Sequence, residues 1–233
     1  MPQTFRYIAL IPAAGVGNRV GHDFPKQYLR LGPRTVLEHS VAAMLSDARI
    51  DRVFVVVAPT DSKWQSIDWG SDRVEFLAVG GASRAESVFN ALMALSGRTH
   101  DDDRVLVHDA ARPCLMKREL ARLIDEVGSE EGGGLLAVPV TDTLKRSENG
   151  HVVETLDRDE FWCAQTPQLF RFASLRAAMS TGSLQGVTDE ASAIERNGNF
   201  PRLVLGSATN IKVTTEHDLT LARVILDAAG CAA

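Results

Sequence analysis

Residues 52–57 hold Val53, Phe54, Val55, Val56 and Val57 in one unbroken β-branched and aromatic block. A strand with one wet face alternates apolar and polar residues, so a strand without alternation must be covered on both sides. That demand places the block inside a sheet with helices above and below it. The neighbouring sequence supplies them. An apolar run at 7–11 reads as a first buried strand, and Val36, Leu37, Val41, Met44 and Leu45 then recur at helical spacing until Ser46. Pro59 stops the block. A short helix at 62–67, a strand at 74–79 closed by Gly80-Gly81, and a helix at 84–95 follow. A strand at 104–107, a helix at 118–127 and a strand at 132–140 continue the alternation. Strands and helices in turn imply an α/β, Rossmann-like fold: a mostly parallel twisted sheet with helices on both faces.

Residues 141–161 break this rhythm. They read as strand, turn, strand, with Asn149-Gly150 at the turn, a strong hairpin signal. The hairpin is polar, and an isolated hairpin is marginally stable in water. A protruding β-arm that leans on a symmetry mate is the natural reading. Beyond it, 172–179 and 189–196 read as helices, with Thr188 as the N-cap of the second. Short strands are expected at 203–205 and 211–213. A final helix begins after Thr215 with a capping-box start, and Leu219, Ala222, Val224 and Ile225 cover one side.

The chain has 233 residues and a formal net charge of −5, which argues against a nucleic-acid or anionic-membrane binder. Its three cysteines, Cys114, Cys163 and Cys231, show neither disulfide nor zinc spacing. No signal peptide and no membrane-spanning apolar stretch is read, so a cytoplasmic location is expected.

In a parallel sheet, ligands bind outside the carboxyl ends of the strands. Three strand-end segments therefore share one mouth. The first is Pro12-Ala13-Ala14-Gly15-Val16-Gly17-Asn18-Arg19, continuing to Pro25-Lys26-Gln27-Tyr28. Its glycines allow close backbone approach, and Arg19 and Lys26 favour an anion, so it reads as a phosphate cradle or as a solvated surface loop. The spacing is neither a Walker A loop nor a dinucleotide fingerprint. The second is Gly80-Gly81-Ala82-Ser83-Arg84-Ala85-Glu86-Ser87, whose diglycine allows amides to read a base edge or ribose, or is plain turn chemistry before an N-cap. The third is His108-Asp109-Ala110-Ala111-Arg112-Pro113. Asp109 either holds a sugar hydroxyl or magnesium ion or caps a turn. His108 reads as structural, and Arg112 either pairs with Asp109 or binds phosphate. Trp64, Trp69 and Trp162 read as packing residues.

Taken in order, these loops with Thr166-Pro167-Gln168, Thr188-Asp189-Glu190-Ala191-Ser192-Ala193 and Asn210-Ile211-Lys212-Val213-Thr214 resemble the 2-C-methyl-D-erythritol 4-phosphate cytidylyltransferase family of the non-mevalonate isoprenoid pathway. The resemblance runs from residue 8 to the last helix. It implies one nucleotidyltransferase domain over 1–233, with 141–160 as a dimerisation arm. It also implies transfer of CMP from CTP to 2-C-methyl-D-erythritol 4-phosphate, with a divalent metal, magnesium, bound with CTP. By matching motif positions, Arg19 and Lys26 would stabilise the transition state, while Arg158 and Lys212 would place the acceptor phosphate for in-line attack. Ala13, Ala14, Gly15, Gly17, Gly80, Gly81, Ser87, Asp109 and Ala110 would hold the nucleotide. Asp109, Thr143, Thr166 and Thr188 would face the acceptor or the metal, and Arg112 and Arg158 the acceptor, Arg158 from the other subunit of a homodimer. The resemblance identifies no metal ligands.

The chain departs from the family pattern at Ala82, Ala91 and Thr141, and none of these removes a proposed cation. It ends too soon after the last helix pattern for the fused cyclodiphosphate synthase domain of some relatives. A cytidylyltransferase for another polyol phosphate, such as ribitol 5-phosphate, would share nearly all these loops. A nucleotide-binding module without chemistry would be expected to lack one of the cations Arg19, Lys26, Arg158 and Lys212, and all four are present.

Overall fold

A computed structural model describes residues 5–15 and 25–230. In chain order it has β1 (Tyr7–Pro12), β2 (Arg30–Leu31), β3 (Arg34–Thr35), α1 (Val36–Leu45), β4 (Ile50–Val56), β5 (Val74–Leu77), α2 (Arg84–Leu95) and β6 (Arg104–Val107). These are followed by α3 (Lys117–Val127), β7 (Gly134–Pro139), β8 (Leu144–Glu148), β9 (His151–Leu156) and β10 (Trp162–Arg171). The last elements are α4 (Phe172–Ser180), α5 (Glu190–Arg196), β11 (Arg202–Leu205) and α6 (Glu216–Ala228).

Seven strands form one sheet in the order β11-β7-β10-β6-β1-β4-β5. All neighbours are parallel except β10, which runs antiparallel between β6 and β7. The β-branched block lies in β4, and Val53 to Val57 are buried as required. The two faces divide by the strand period of two. Tyr7, Ala9, Ile11, Val53, Val55 and Leu106 pack with α1 and α3. Ile8, Leu10, Phe54, Val56, Val105 and Val107 pack with α2, α4 and α5. After β5 the chain crosses to the other side of β1 to form β6, so the carboxyl ends of β1 and β6 flank a topological switch point.

Several expectations are corrected. Residues 162–171 form the longest strand, which the sequence did not announce because Thr166-Pro167-Gln168 lies inside it. Thr166-Pro167 is a cis peptide, and the pairing with β7 shifts register between Ala164 and Gln168. Residues 211–213 are not a strand; Val213 N donates to the Ala111 carbonyl and ties this segment to the β6 loop. The N-cap of α5 is Asp189, whose carboxylate accepts from Ser192 N at 3.0 Å, and Thr188 precedes it. On α6, Ala222 and Leu226 face inward while Val224 is exposed. Trp64 stacks on Phe76 and Trp69 leans on the same ring, but Trp162 is exposed.

Among the described residues, β8 and β9 pair only with each other, joined by Asn149 and Gly150, both at positive φ. Among the described residues, no helix is long and apolar enough to cross a membrane.

Candidate active site

The three strand-end loops meet at a cavity of about 630 Å³. Ala13, Ala14 and Gly15 come from the end of β1, Lys26 from the short helical turn that follows, and Gly81 and Ser87 from the start of α2. Asp109 and Ala110 leave β6, and Lys212 enters from the segment before α6. A Cβ placed on Gly15 would meet nothing within 4 Å, so its backbone borders open space. The loop is held from below. Ala13 N donates to Val56 O, and the buried Gln27 amide donates to Ala13 O at 2.9 Å. Gly17 and Arg19 lie outside the described residues.

Of the two readings of the diglycine, its backbone follows turn chemistry before the Ser83 N-cap of α2, whose side chain accepts from Glu86 N. A side chain at Gly80 would collide with the Ala14 methyl group and lie 2.8 Å from Val57 O. Glycine is needed there for close packing of two loops. The Gly80 amide donates to Val57 O and the Gly81 amide to Ser87 Oγ at 3.0 Å. Ser87 in turn donates to Ser83 O at 2.8 Å. These groups shape the cavity wall, with both amides already engaged inside the protein.

Asp109 is the electrostatic centre. Its carboxylate receives Arg84 Nε at 2.8 Å and Lys212 Nζ at 2.7 Å, with Arg112 Nε 3.8 Å away. Burial alone would raise its pKa, but Arg84 and Lys212 outweigh that and hold the carboxyl well below the usual range. Its side chain is given over to cations and caps no turn. Arg112 Nη1 donates to Asn210 O at 2.6 Å, whereas its buried Nε makes no hydrogen bond.

Asp109, Arg84 and Lys212 also line a second cavity of about 260 Å³ with Arg112, Thr166 and Thr188. Thr166 is anchored from β10, its hydroxyl accepting from Asp109 N at 3.0 Å. It also lies 3.1 Å from His108 Nδ1, and His108 Nε2 lies 3.1 Å from Arg112 O. A carbonyl only accepts, so Nε2 carries the proton. The imidazole is neutral, since burial pushes its pKa down to about 4. Nδ1 therefore accepts from the Thr166 hydroxyl. His108 braces the strand exit, as the sequence suggests.

Arg84 was missed as a site residue, and so was its partner. Its Nη1 and Nη2 donate to the two oxygens of Glu190 at 2.7 and 2.9 Å, across 106 positions of sequence. The signal lay within two quoted motifs, but nothing in one sequence links them.

Thr143 and Arg158 line neither cavity. Both are exposed on the arm, where Arg158 donates to the Thr141 carbonyl. The described residues contain no cluster of three or more His, Cys, Asp or Glu side chains suited to a metal ion.

A family model described as 2-C-methyl-D-erythritol 4-phosphate cytidylyltransferase matches residues 7–228. A curated protein of that name from Laribacter hongkongensis is 52% identical over 223 residues, covering 95% of this chain and 96% of its own. A solved 4-diphosphocytidyl-2C-methyl-D-erythritol synthase is 42% identical, with a TM-score of 0.85 over 97% of this chain and 100% of that one. The Francisella tularensis 2-C-methyl-D-erythritol 4-phosphate cytidylyltransferase is 37% identical, with a TM-score of 0.81 over 95% of this chain and 100% of that one.

Proposed function

The chain belongs to the 2-C-methyl-D-erythritol 4-phosphate cytidylyltransferase family, and from that premise we propose how its residues divide the work. The enzyme transfers CMP from CTP to 2-C-methyl-D-erythritol 4-phosphate, giving 4-diphosphocytidyl-2-C-methyl-D-erythritol and pyrophosphate. The carrying observation is the wall of Arg84, Asp109 and Lys212 shared by two adjoining cavities. The larger takes CTP and the smaller takes the acceptor. An acceptor phosphate oxygen attacks the α-phosphorus, the bond from that phosphorus to the bridging oxygen breaks, and pyrophosphate leaves with the electron pair.

A phosphate nucleophile needs no general base, so the protein's task is charge and alignment. Lys26 and Arg19 serve the triphosphate and the charge that builds at the α-phosphorus. Lys212 is half-exposed and stands between the cavities, suited to the acceptor phosphate. Arg112 lines the smaller cavity with its guanidinium held by Asn210 O, which supports its use as fixed positive charge beside the same phosphate. The Thr166 hydroxyl is committed to His108, so Thr166 shapes that cavity and steadies Asp109.

Magnesium keeps several waters and is held by one or two carboxylates plus substrate phosphates. Asp109 is the carboxylate lining the larger cavity, and Arg84 Nε and Lys212 Nζ already hold it at 2.8 and 2.7 Å. In this arrangement it does not fit as a metal ligand, and an ion carried by the triphosphate would neutralise phosphate charge without it.

The chain acts as a single cytoplasmic nucleotidyltransferase domain, with 141–160 as a dimerisation arm. The arm exposes Val152 at 63% and Val153 at 46%, surface that a second copy would cover. Thr143 and Arg158 would then serve the partner's acceptor cavity. The reaction is tested by following pyrophosphate from CTP with 2-C-methyl-D-erythritol 4-phosphate and, separately, ribitol 5-phosphate. Turnover with the first is expected, and turnover with the second alone would overturn the assignment.

A further inference from the structure

Arg84 and Glu190 open the helices α2 and α5 and lie where the two cavities meet. The residues just before Arg84, Gly81 to Ser83, line the nucleotide cavity. Those just before Glu190, Thr188 and Asp189, line the acceptor cavity. The guanidinium spends two nitrogens on the Glu190 carboxylate and turns the third, Nε, to Asp109 at 2.8 Å. The Glu190 side chain is 1% exposed. Gln168 of β10 braces the same helix start, donating to Asp189 Oδ2 and accepting from Ala191 N, each at 2.8 Å.

We propose that Arg84 and Glu190 are a positioning pair for the transfer step, fixing Asp109, and through it Lys212, between the nucleotide and acceptor cavities. Stability alone does not ask for a carboxylate here, because a buried ion pair is often matched or bettered by apolar residues of similar volume. The ion pair adds a fixed orientation. A planar fork held at both nitrogens by one carboxylate aims its remaining N–H in one direction, which a lysine ammonium cannot do. Asp109 then stays in place while Lys212, half-exposed, engages substrate. The pair also ties the two helix starts, so the cavities keep their relative placement. A misplacement of about 1 Å in such a site can cost about 100-fold in rate.

This role rests on the cytidylyl transfer above, and its test separates the two. The intact enzyme is assayed with CTP and 2-C-methyl-D-erythritol 4-phosphate beside Glu190→Gln and the double variant Arg84→Met/Glu190→Met. Glu190→Gln keeps shape and loses the charge that locks the fork. It is expected to lower kcat/KM for the acceptor about 10-fold or more while KM for CTP changes less than about twofold. The double variant removes both charges, so its melting temperature is expected near that of the unmodified enzyme while turnover stays depressed. A double variant that regains both stability and wild-type turnover would show a structural pair and overturn the proposal, as would Glu190→Gln with unchanged constants for both substrates. Absence of turnover by the unmodified enzyme would overturn the reaction, and the pair's role with it.

Discussion

Lys212 Nζ lies 2.7 Å from Asp109 Oδ2, and the two side chains differ sharply in access: 42% of Lys212 is exposed against 9% of Asp109. The carboxylate is a buried anchor and the ammonium is a reachable hand. This asymmetry allows Lys212 to meet an incoming phosphate while remaining tethered. It also explains why a carboxylate stands in a site built for polyanions. Without it, Arg84, Arg112 and Lys212 would repel one another before any substrate arrived.

Asp109→Asn tests that anchor through stability. Removing the charge leaves three cations without their common partner, and the loss at pH 7 is expected at about 3 kcal/mol. The sign with pH follows from the depressed pKa. Asp109's contribution is fully present above the ordinary carboxylate value and is lost as pH falls through its lower folded value. Urea unfolding should show a constant gap between the two proteins from neutral pH to about 5, narrowing only in strong acid. A gap that widens below pH 4 would contradict the anchor.

His108 predicts a different pH window. Its folded pKa of about 4 lies below the ordinary value of 6.5. The unfolded chain therefore binds more protons between those values, and stability falls as pH drops through that range. His108→Asn cannot bind that proton. It should be less stable than the unmodified protein at pH 7.5, through lost hydrogen bonds to Thr166 and Arg112, and lose less on going to pH 5. Equal acid sensitivity of the two proteins by urea unfolding would show that the imidazole is not the group responsible.

Lys26→Ala bears on the chemistry itself. Lys26 lines the larger cavity, as does Asp109. If it stabilises charge that develops at the α-phosphorus, kcat at saturating CTP should drop by roughly 100-fold. A rise in KM for CTP with unchanged kcat would assign it to ground-state binding alone.

Much of the scaffold was legible in local pattern. The bounds of α2 and β6 fall where Val88, Leu92 and Leu95 and the block 104–107 put them, because a helical apolar period and an unbroken apolar run are each carried by the element's own residues. The strand β10 was hidden because its middle is polar and contains Pro167, features that speak against a strand until β6 and β7 flank it. Segment 211–213 looked like a strand because Ile211 and Val213 alternate around Lys212. In the fold Val213 serves the small core beneath α6 instead. The mouth of the site was legible as strand ends with glycines and cations. The Arg84–Glu190 pair was not, since each half reads alone as an ordinary residue at a helix start.

The arm gives a prediction that the folded monomer makes sharp. Arg158 lines neither cavity of its own chain, whereas Lys26 lines the larger one. If Arg158 acts in the partner's site, Arg158→Ala and Lys26→Ala fail for complementary reasons. Each should lose activity alone. In a mixed dimer, the Arg158→Ala subunit keeps its own Lys26 and receives Arg158 from the Lys26→Ala subunit. One of the two sites is then intact, and the other carries both lesions. Equal mixing, with random exchange of subunits, should therefore restore about a quarter of the unmodified activity. Pyrophosphate release from the mixture, set against the sum of the separate variants, is the measurement, with subunit exchange followed by mass of the mixed dimer. Mixed dimers with no gain over that sum would place Arg158 outside the partner's site, and an active monomer by sedimentation would remove the shared site altogether.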